Sequence, residues 1–141
     1  MLEADYDGCI LSFDGSAKTS TRLGSCGCIP WQLPGWNVIE ARGYILTNVT
    51  VNDAEYSGLL NGLEMALERG IQDIVVVGDS RIAIQQAQGL INCNQPKLQR
   101  RLAAYEMLKD KFGSVKLVHV KREFNQAADY LTSKTLAIGE A

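Results

Sequence analysis

The sequence Ile74-Val75-Val76-Val77-Gly78-Asp79-Ser80 is a short run of β-branched residues that ends in an acid. Four consecutive β-branched side chains predict a strand that is buried on both faces. Asp79 would then lie at the carboxyl end of that strand, where open α/β sheets bind their ligands. The run therefore predicts a central strand and a candidate site at the edge of its sheet.

The patterns on either side of this run predict the remaining elements. Alternating apolar residues mark strands, and apolar residues at helical spacing mark helices. Asn52 and Glu55 form a capping-box pattern at the start of the first helix, and Pro30 predicts an edge position or a bulge in the second strand. We predict strands at 9–13, 24–33 and 38–46, a helix at 52–70, a strand at 73–78, helices at 80–87 and 98–112, a strand at 115–120 and a helix at 126–137.

This order, βββαβααβα, predicts an α/β fold with a five-stranded mixed sheet and helices on both faces. The first three strands follow one another as hairpins, so that half of the sheet should be antiparallel. The last two strands each follow a helix, which is typical of parallel pairing.

Length and composition restrict the class of protein. The 141 residues, 46% of them apolar, suit one globular domain over 1–141 with a core at about 8–137. No apolar run approaches the ~20 residues of a membrane span, and residues 1–7 are acidic and lack the pattern of a signal peptide. We expect an intracellular protein, cytoplasmic or nuclear, that is monomeric and makes no membrane contact.

The four cysteines do not form a recognisable metal or disulfide pattern. Cys26-Gly27-Cys28 is one residue too tight for the usual zinc spacing, and the chain has a single histidine. We interpret the cysteines as buried, reduced thiols.

Charge is distributed unevenly along the chain. Residues 1–89 carry 5 basic and 11 acidic groups, a net charge of −6, whereas residues 90–141 carry 9 basic and 5 acidic groups, a net charge of +4. A basic C-terminal part can meet phosphates, and an acidic first part is compatible with metal binding. Ordinary surface charge explains the same asymmetry, so the asymmetry alone establishes neither phosphate contact nor metal binding.

Four carboxylates occupy comparable junctions between elements: Asp14, Glu55, Asp79 and Asp129. Each has a purely structural explanation. Asp14 can serve a turn before Gly15, Glu55 can complete a capping box, Asp79 can cap the next helix, and Asp129 can be a solvated helix position.

Considered together, the four acids suggest a metal site. Like charges in one small site raise one another's pKa, so four acids need a compensating cation. Mg²⁺ and Mn²⁺ are hard cations that prefer carboxylate oxygens, and a pair of them can promote phosphodiester hydrolysis. Our hypothesis is that the four side chains meet and hold divalent metal.

The residues around these acids resemble the ribonuclease H family, in particular its type 1 branch and the retrotransposon and plant-type domains. The resemblance covers about 9–136 and depends on four blocks in the right order. The blocks are Phe13-Asp14-Gly15-Ser16-Ala17, Asn52-Asp53-Ala54-Glu55-Tyr56-Ser57-Gly58-Leu59, Val77-Gly78-Asp79-Ser80 and His119-Val120-Lys121-Arg122-Glu123-Phe124-Asn125-Gln126-Ala127-Ala128-Asp129.

The resemblance implies an RNase H-like fold and an endonuclease that cuts the RNA strand of an RNA–DNA hybrid with two Mg²⁺ ions, for which Mn²⁺ can substitute. It implies that the four acids are both catalytic and metal-binding. It also implies a retroelement polyprotein in which a reverse transcriptase domain is a partner. The implied substrate contacts are Ser16, Thr50, Asn52, Ser80 and Arg122.

The chain also departs from the family pattern. The segment 120–125 is too short for the histidine-bearing loop of many members, so we place His119 inside the last strand, half-buried or facing the sheet, and assign it no catalytic role. Val51 stands where many relatives carry an asparagine. The tryptophan-rich basic protrusion of some bacterial members is absent from 88–97. We expect three cations to follow the DNA backbone instead: Lys97, Arg100 and Arg101.

Two other functions stay open at this point. The same fold can serve as a catalytically silent interaction module, although all four acids are intact. A nuclease of this fold can also act on other nucleic acids, such as double-stranded RNA or branched DNA.

Overall fold

The computed structural model describes residues 6–141, which form one mixed sheet and four helices. We expect no signal peptide in residues 1–7. Residues 1–5 of that segment lie outside the described residues. The strands are β1 (Cys9–Ala17), β2 (Gly24–Gln32), β3 (Asn37–Val38), β4 (Arg42–Leu46), β5 (Asp73–Gly78) and β6 (Ser114–His119). The helices are α1 (Val51–Glu68), α2 (Arg81–Ala87), α3 (Pro96–Lys109) and α4 (Gln126–Glu140), and a 3-10 turn (Arg122–Phe124) precedes α4.

The sheet is antiparallel on one side and parallel on the other, as predicted. The strands lie in the order β3-β2-β1-β5-β6, and β4 pairs with the same outer edge of β2 as β3. β1 pairs antiparallel with β2 and parallel with β5, and β5 pairs parallel with β6. The predicted α/β fold with a mixed sheet is confirmed, and the β-branched run of β5 lies between two partners.

The third predicted strand is wrong as a single element, because it is divided into β3 and β4. Pro30 lies opposite the division: β4 pairs with residues up to Cys28 of β2, and β3 pairs with Trp31 and Gln32. The Pro30 carbonyl accepts from the Ile39 N–H on this outer side. An N–H of residue 30 would point the same way, and proline has none. Three residues of the partner strand (39–41) oppose two residues of β2 (29–30), so Pro30 lies at a bulge, the second of the two predicted alternatives, and not at an edge.

The helices cover the two faces of the sheet unequally. α1, α2 and α3 bury one face, where Leu11 and Phe13 of β1 and Val76 of β5 pack with Tyr56 of α1 and Tyr105 of α3. α4 lies on the other face, against β2, β1 and β4. A smaller apolar cluster occupies the rest of that face, with Ile10, Leu33 and Val75 at its centre.

The start of α1 differs from its prediction. Thr50, not Asn52, is the N-cap, and the capping box joins Thr50 to Asp53, not Asn52 to Glu55. The Thr50 hydroxyl accepts from the Asp53 N–H at 3.2 Å, and the Asp53 carboxylate accepts from the Thr50 N–H at 3.0 Å. Glu55 is consequently not used for capping and is available to the site.

The cysteines are free thiols, and Cys9, Cys26 and Cys28 are buried as predicted, whereas Cys93 is half-buried. Burial raises the pKa of Cys26 to about 11 and that of Cys28 to about 12. Both thiols are therefore protonated at neutral pH. Among residues 6–141, no helix combines the length and apolarity that a membrane crossing needs.

Candidate metal centre

Two of the four acids come together through the parallel register of β1 and β5. The last paired residues are Ser12 and Val77, so two more residues along both strands bring Asp14 opposite Asp79. Our placement of Asp14 at the end of its strand is wrong, because β1 continues to Ala17 alongside β2. Asp79 follows β5 directly, as predicted.

Glu55 joins this pair because α1 lies unusually close to β1. A Cβ atom at Gly15 would overlap the backbone of Ala54 and Glu55, and one at Gly58 would lie 2.6 Å from the carbonyl oxygen of Asp14. Only hydrogen side chains at both positions allow this approach. The glycines therefore hold the first turns of α1 against the strand that carries Asp14.

The three carboxylates form a compact cluster. Asp14, Glu55 and Asp79 each offer an oxygen that lies within 4.8 Å of the others. Asp14 and Glu55 are buried, and Asp79 is half-buried. They line an open cleft of about 350 Å³ together with Gly15, Ser16, Val51, Arg122, Asp129 and Ser133.

The electrostatics of this cluster favour the binding of a cation. Burial and the neighbouring Asp79 raise the pKa of Asp14 to about 7. Burial and the charges of Asp14 and Asp79 raise the pKa of Glu55 well above its usual range. One Glu55 oxygen, Oε2, is buried without a hydrogen-bond partner among the described residues. A divalent cation bound by these oxygens would resolve both the repulsion and the unpaired acceptor.

Asp129 lies in the same cleft but outside the compact cluster. It is placed in the first turn of α4, and its charge contributes to the raised pKa of Asp14. Its Oδ1 accepts from the Arg122 guanidinium at 3.2 Å, which brings a cation to the rim of the site. This ion pair is not evident from the sequence, because Arg122 lies in the 3-10 turn and Asp129 in the helix that follows it.

The predicted substrate contacts divide into two groups. Ser16 and Arg122 line the cleft, as does the apolar side chain of Val51. Thr50, Asn52 and Ser80 do not line it. Thr50 caps α1, Asn52 lies half-buried in the first turn of α1, and Ser80 caps α2 through a 3.2 Å bond from the Ala83 N–H.

His119 is the last residue of β6, inside the strand as predicted, but it is exposed and not half-buried. In place of a long histidine loop, the chain makes the compact 3-10 turn that carries Arg122.

Asp53 is a residue that the sequence analysis missed. It is 1% exposed, and its carboxylate pairs with Lys97 at 3.0 Å and Arg101 at 3.1 Å. Burial alone would raise its pKa, but hydrogen bonds from Thr50, Lys97 and Arg101 outweigh burial and lower the pKa to about 2. The Thr-x-x-Asp spacing at Thr50 was the signal available in the sequence.

The three predicted backbone cations lie together on α3. Lys97, Arg100 and Arg101 line a shallow groove with Leu60 and Ala104. Because Asp53 pairs with Lys97 and Arg101, Arg100 is the cation of this group for which the described residues show no ion pair.

Comparison with known proteins gives a consistent set of similarities. The family model described as reverse transcriptase-like matches residues 12–135. Ribonuclease HI of Halobacterium salinarum is 32% identical over 124 residues, which are 88% of this chain and 62% of that protein, so the chain spans less than two thirds of this relative.

Solved structures share the fold. RNase H1 from Halobacterium salinarum NRC-1 superposes with a TM-score of 0.87 at 28% identity and covers 92% of this chain and 97% of that one. LC11-RNase H1 in complex with an RNA/DNA hybrid superposes with a TM-score of 0.88 at 23% identity and covers 94% of this chain and 99% of that one.

Proposed function

The chain belongs to the reverse transcriptase-like family, and from that membership we propose that it is a metal-dependent endonuclease that cuts the RNA strand of an RNA–DNA hybrid. The observation that carries the proposal is the carboxylate cluster at the meeting point of β1, β5 and α1, with its unpaired Glu55 oxygen. The similarity to ribonuclease HI supports the choice of substrate.

The residues of the cleft have separable roles in this proposal. Asp14, Glu55 and Asp79 hold divalent metal, Mg²⁺ or Mn²⁺, and Asp129 completes the set from α4. When bound, two such ions would supply an activated water and stabilise the leaving oxygen of the phosphodiester. The buried positions of Asp14 and Glu55 keep their oxygens fixed before substrate arrives.

Arg122 and Ser16 act on the substrate. Arg122 is 77% exposed beside Asp129, so its guanidinium can turn from the carboxylate to a phosphate of the hybrid. The Ser16 hydroxyl, on β1 in the lining of the cleft, would contact a 2′-hydroxyl, the group that distinguishes RNA from DNA. Thr50, Asn52 and Ser80 would contact the hybrid outside the cleft.

The partner of the domain is also part of the proposal. Its family description and the absence of a tryptophan-rich protrusion at 88–97 support a domain that works beside a reverse transcriptase in one polyprotein. Such a neighbour would hold the hybrid in place of the missing protrusion. We also propose that the protein is intracellular and monomeric.

A digestion panel tests the activity. Labelled RNA–DNA hybrid, double-stranded RNA and double-stranded DNA are incubated with the chain and with Asp79→Asn in the presence of Mg²⁺. We expect cleavage of the RNA strand of the hybrid alone, lost in Asp79→Asn, which should stay folded because it removes one like charge. Equal cleavage of duplex RNA would contradict the substrate, and no cleavage with no metal-induced stabilisation would favour the silent module.

A further inference from the structure

A second cavity lies beside the candidate metal centre, on the face of the sheet that carries α4. Its volume is about 430 Å³, and it is lined by three aromatic side chains with polar groups between them. Trp31 and Trp36 meet edge to face with ring centroids 5.9 Å apart, and Phe124 forms another wall. Trp36 and Phe124 are 54% and 73% exposed, so two large aromatic surfaces face solvent at one opening.

A buried polar side chain contributes to the wall of the cavity. Asn125 is 3% exposed, and its Nδ2 donates to the Phe13 carbonyl at 2.9 Å. Its Oδ1 has no hydrogen-bond partner among the described residues, although a buried acceptor of this kind is normally paired.

The start of α4 adds donors beside this acceptor. Gln126, Ala127 and Ala128 line the cavity in the first turn of the helix. Asn125 is the N-cap, but within residues 6–141 its side chain makes no capping hydrogen bond. The first-turn N–H groups therefore point outward as donors, close to the Asn125 acceptor.

We propose that this aromatic cavity binds an unpaired nucleobase of a nucleic-acid strand. A base presents two flat faces for the aromatic walls and carries acceptors on one edge, which match the first-turn amides. An apolar protein side chain would fill the space but leave the first-turn amides without an acceptor.

The position of the cavity suits this ligand. Ser12 lines the cavity and Asp14 the metal centre, and the two lie two residues apart on β1, facing the same side of the sheet. The 3-10 turn that carries Phe124 also carries Arg122, and with Lys121 and Glu123 this segment has a net charge of +1. A strand whose backbone passes Arg122 could place a neighbouring base in the cavity.

The choice of nucleic acid as ligand rests on the proposed function, but its test does not depend on cleavage. Trp31 and Trp36 are the only tryptophans of the chain, so intrinsic fluorescence reports on the cavity. The chain is titrated in EDTA with a short single-stranded oligonucleotide, with an abasic oligonucleotide of the same length, and with N-acetyl-leucine amide.

We expect saturable quenching by the oligonucleotide with bases and little response to the other two probes. Trp36→Ala, followed through Trp31, and Phe124→Ala should each weaken binding about five- to hundredfold, the range of one lost base stack. Met107→Ala, an equally exposed apolar residue on α3 outside the cavity, serves as the matched control and should bind as the parent does.

Each other outcome counts against the proposal. An equal response to the abasic strand would reduce the site to a phosphate contact at α4, and an equal response to the amide would indicate a protein side chain. Unchanged affinity in both aromatic variants would overturn the site. Hybrid cleavage is measured separately: quenching without cleavage contradicts only the proposed function, and cleavage without quenching contradicts only the cavity.

Discussion

At the scale of single residues, the acids were readable from the sequence, but their pairings were not. Asp14, Glu55, Asp79 and Asp129 stand out because each lies near a predicted junction between elements, although Asp14 lies inside β1 in the structure. The partners of Asp53 and Asp129 depend on where α3 and the 3-10 turn pack, which local sequence does not encode. Residue patterns therefore predicted that these acids meet, but not the ion pairs around them.

The raised pKa of Asp14 makes a prediction about pH. Burial and Asp79 raise that pKa from an ordinary acid value to about 7, so the metal-free folded state binds more protons than the unfolded state between about pH 4 and 7. The contribution of Asp14 to the free energy of unfolding is therefore fully present below about pH 4. It is lost as the pH rises through about 7. Asp14→Asn should remove this loss.

Thermal or urea unfolding in EDTA measures the effect. At pH 8 we expect Asp14→Asn to be more stable than the parent by about 1–4 kcal/mol, and at pH 4 we expect the two to differ little. Glu64→Gln, an exposed carboxylate on α1, controls for the loss of any acid. Equal stability of parent and Asp14→Asn at pH 8 would show that Asp14 is not held in a repulsive cluster.

At the scale of elements, β5 and the four helices were predictable, and the strands around β2 were not. The β-branched run and the helical periodicity are local signals, and β5 begins and ends where they predict. The length of β1 and the division between β3 and β4 depend on which residues of β2 have partners. Those pairings are set by tertiary structure.

The close contact of α1 with β1 makes a prediction about Gly58. Gly58→Ala would place a methyl group 2.6 Å from the Asp14 carbonyl oxygen, in contact with backbone that cannot yield easily. We expect α1 to move outward, with a loss of about 1–3 kcal/mol in the free energy of unfolding. Hybrid cleavage should fall about a hundredfold, because Glu55 would be displaced from Asp14.

Circular dichroism melting and a cleavage assay at a temperature where the variant is folded separate these two effects. Glu64→Ala, on the exposed face of the same helix, should change neither quantity. A Gly58→Ala variant that cuts at the parent's rate would show that the approach of α1 does not position Glu55.

At the scale of the whole molecule, the order of elements predicted the mixed sheet and the meeting of segments distant in sequence. The charge asymmetry has a structural counterpart, since the acidic cleft and the basic groove on α3 occupy different parts of the surface. Asp53 neutralises part of that groove, which the net charge of the C-terminal part did not reveal.

The basic groove makes a prediction about salt. Arg100 is exposed on α3, so Arg100→Gln should reduce the slope of log binding constant against log salt concentration by about 1 for a hybrid. The binding constant is measured in EDTA at several salt concentrations, with Lys109→Gln at the end of α3 as the comparison. An unchanged slope in Arg100→Gln would place the backbone of the hybrid elsewhere.

The central claim is that the carboxylate cluster holds the divalent metal with which the hybrid is cut. Its most direct test is the rate of RNA-strand cleavage in a labelled hybrid as Mg²⁺ is titrated, for the chain and for Glu55→Gln. We predict a saturable dependence on Mg²⁺ in the parent, no cleavage in EDTA, and at least about a hundredfold loss in Glu55→Gln. Cleavage that persists in EDTA, or a Glu55→Gln variant as fast as the parent, would contradict the account.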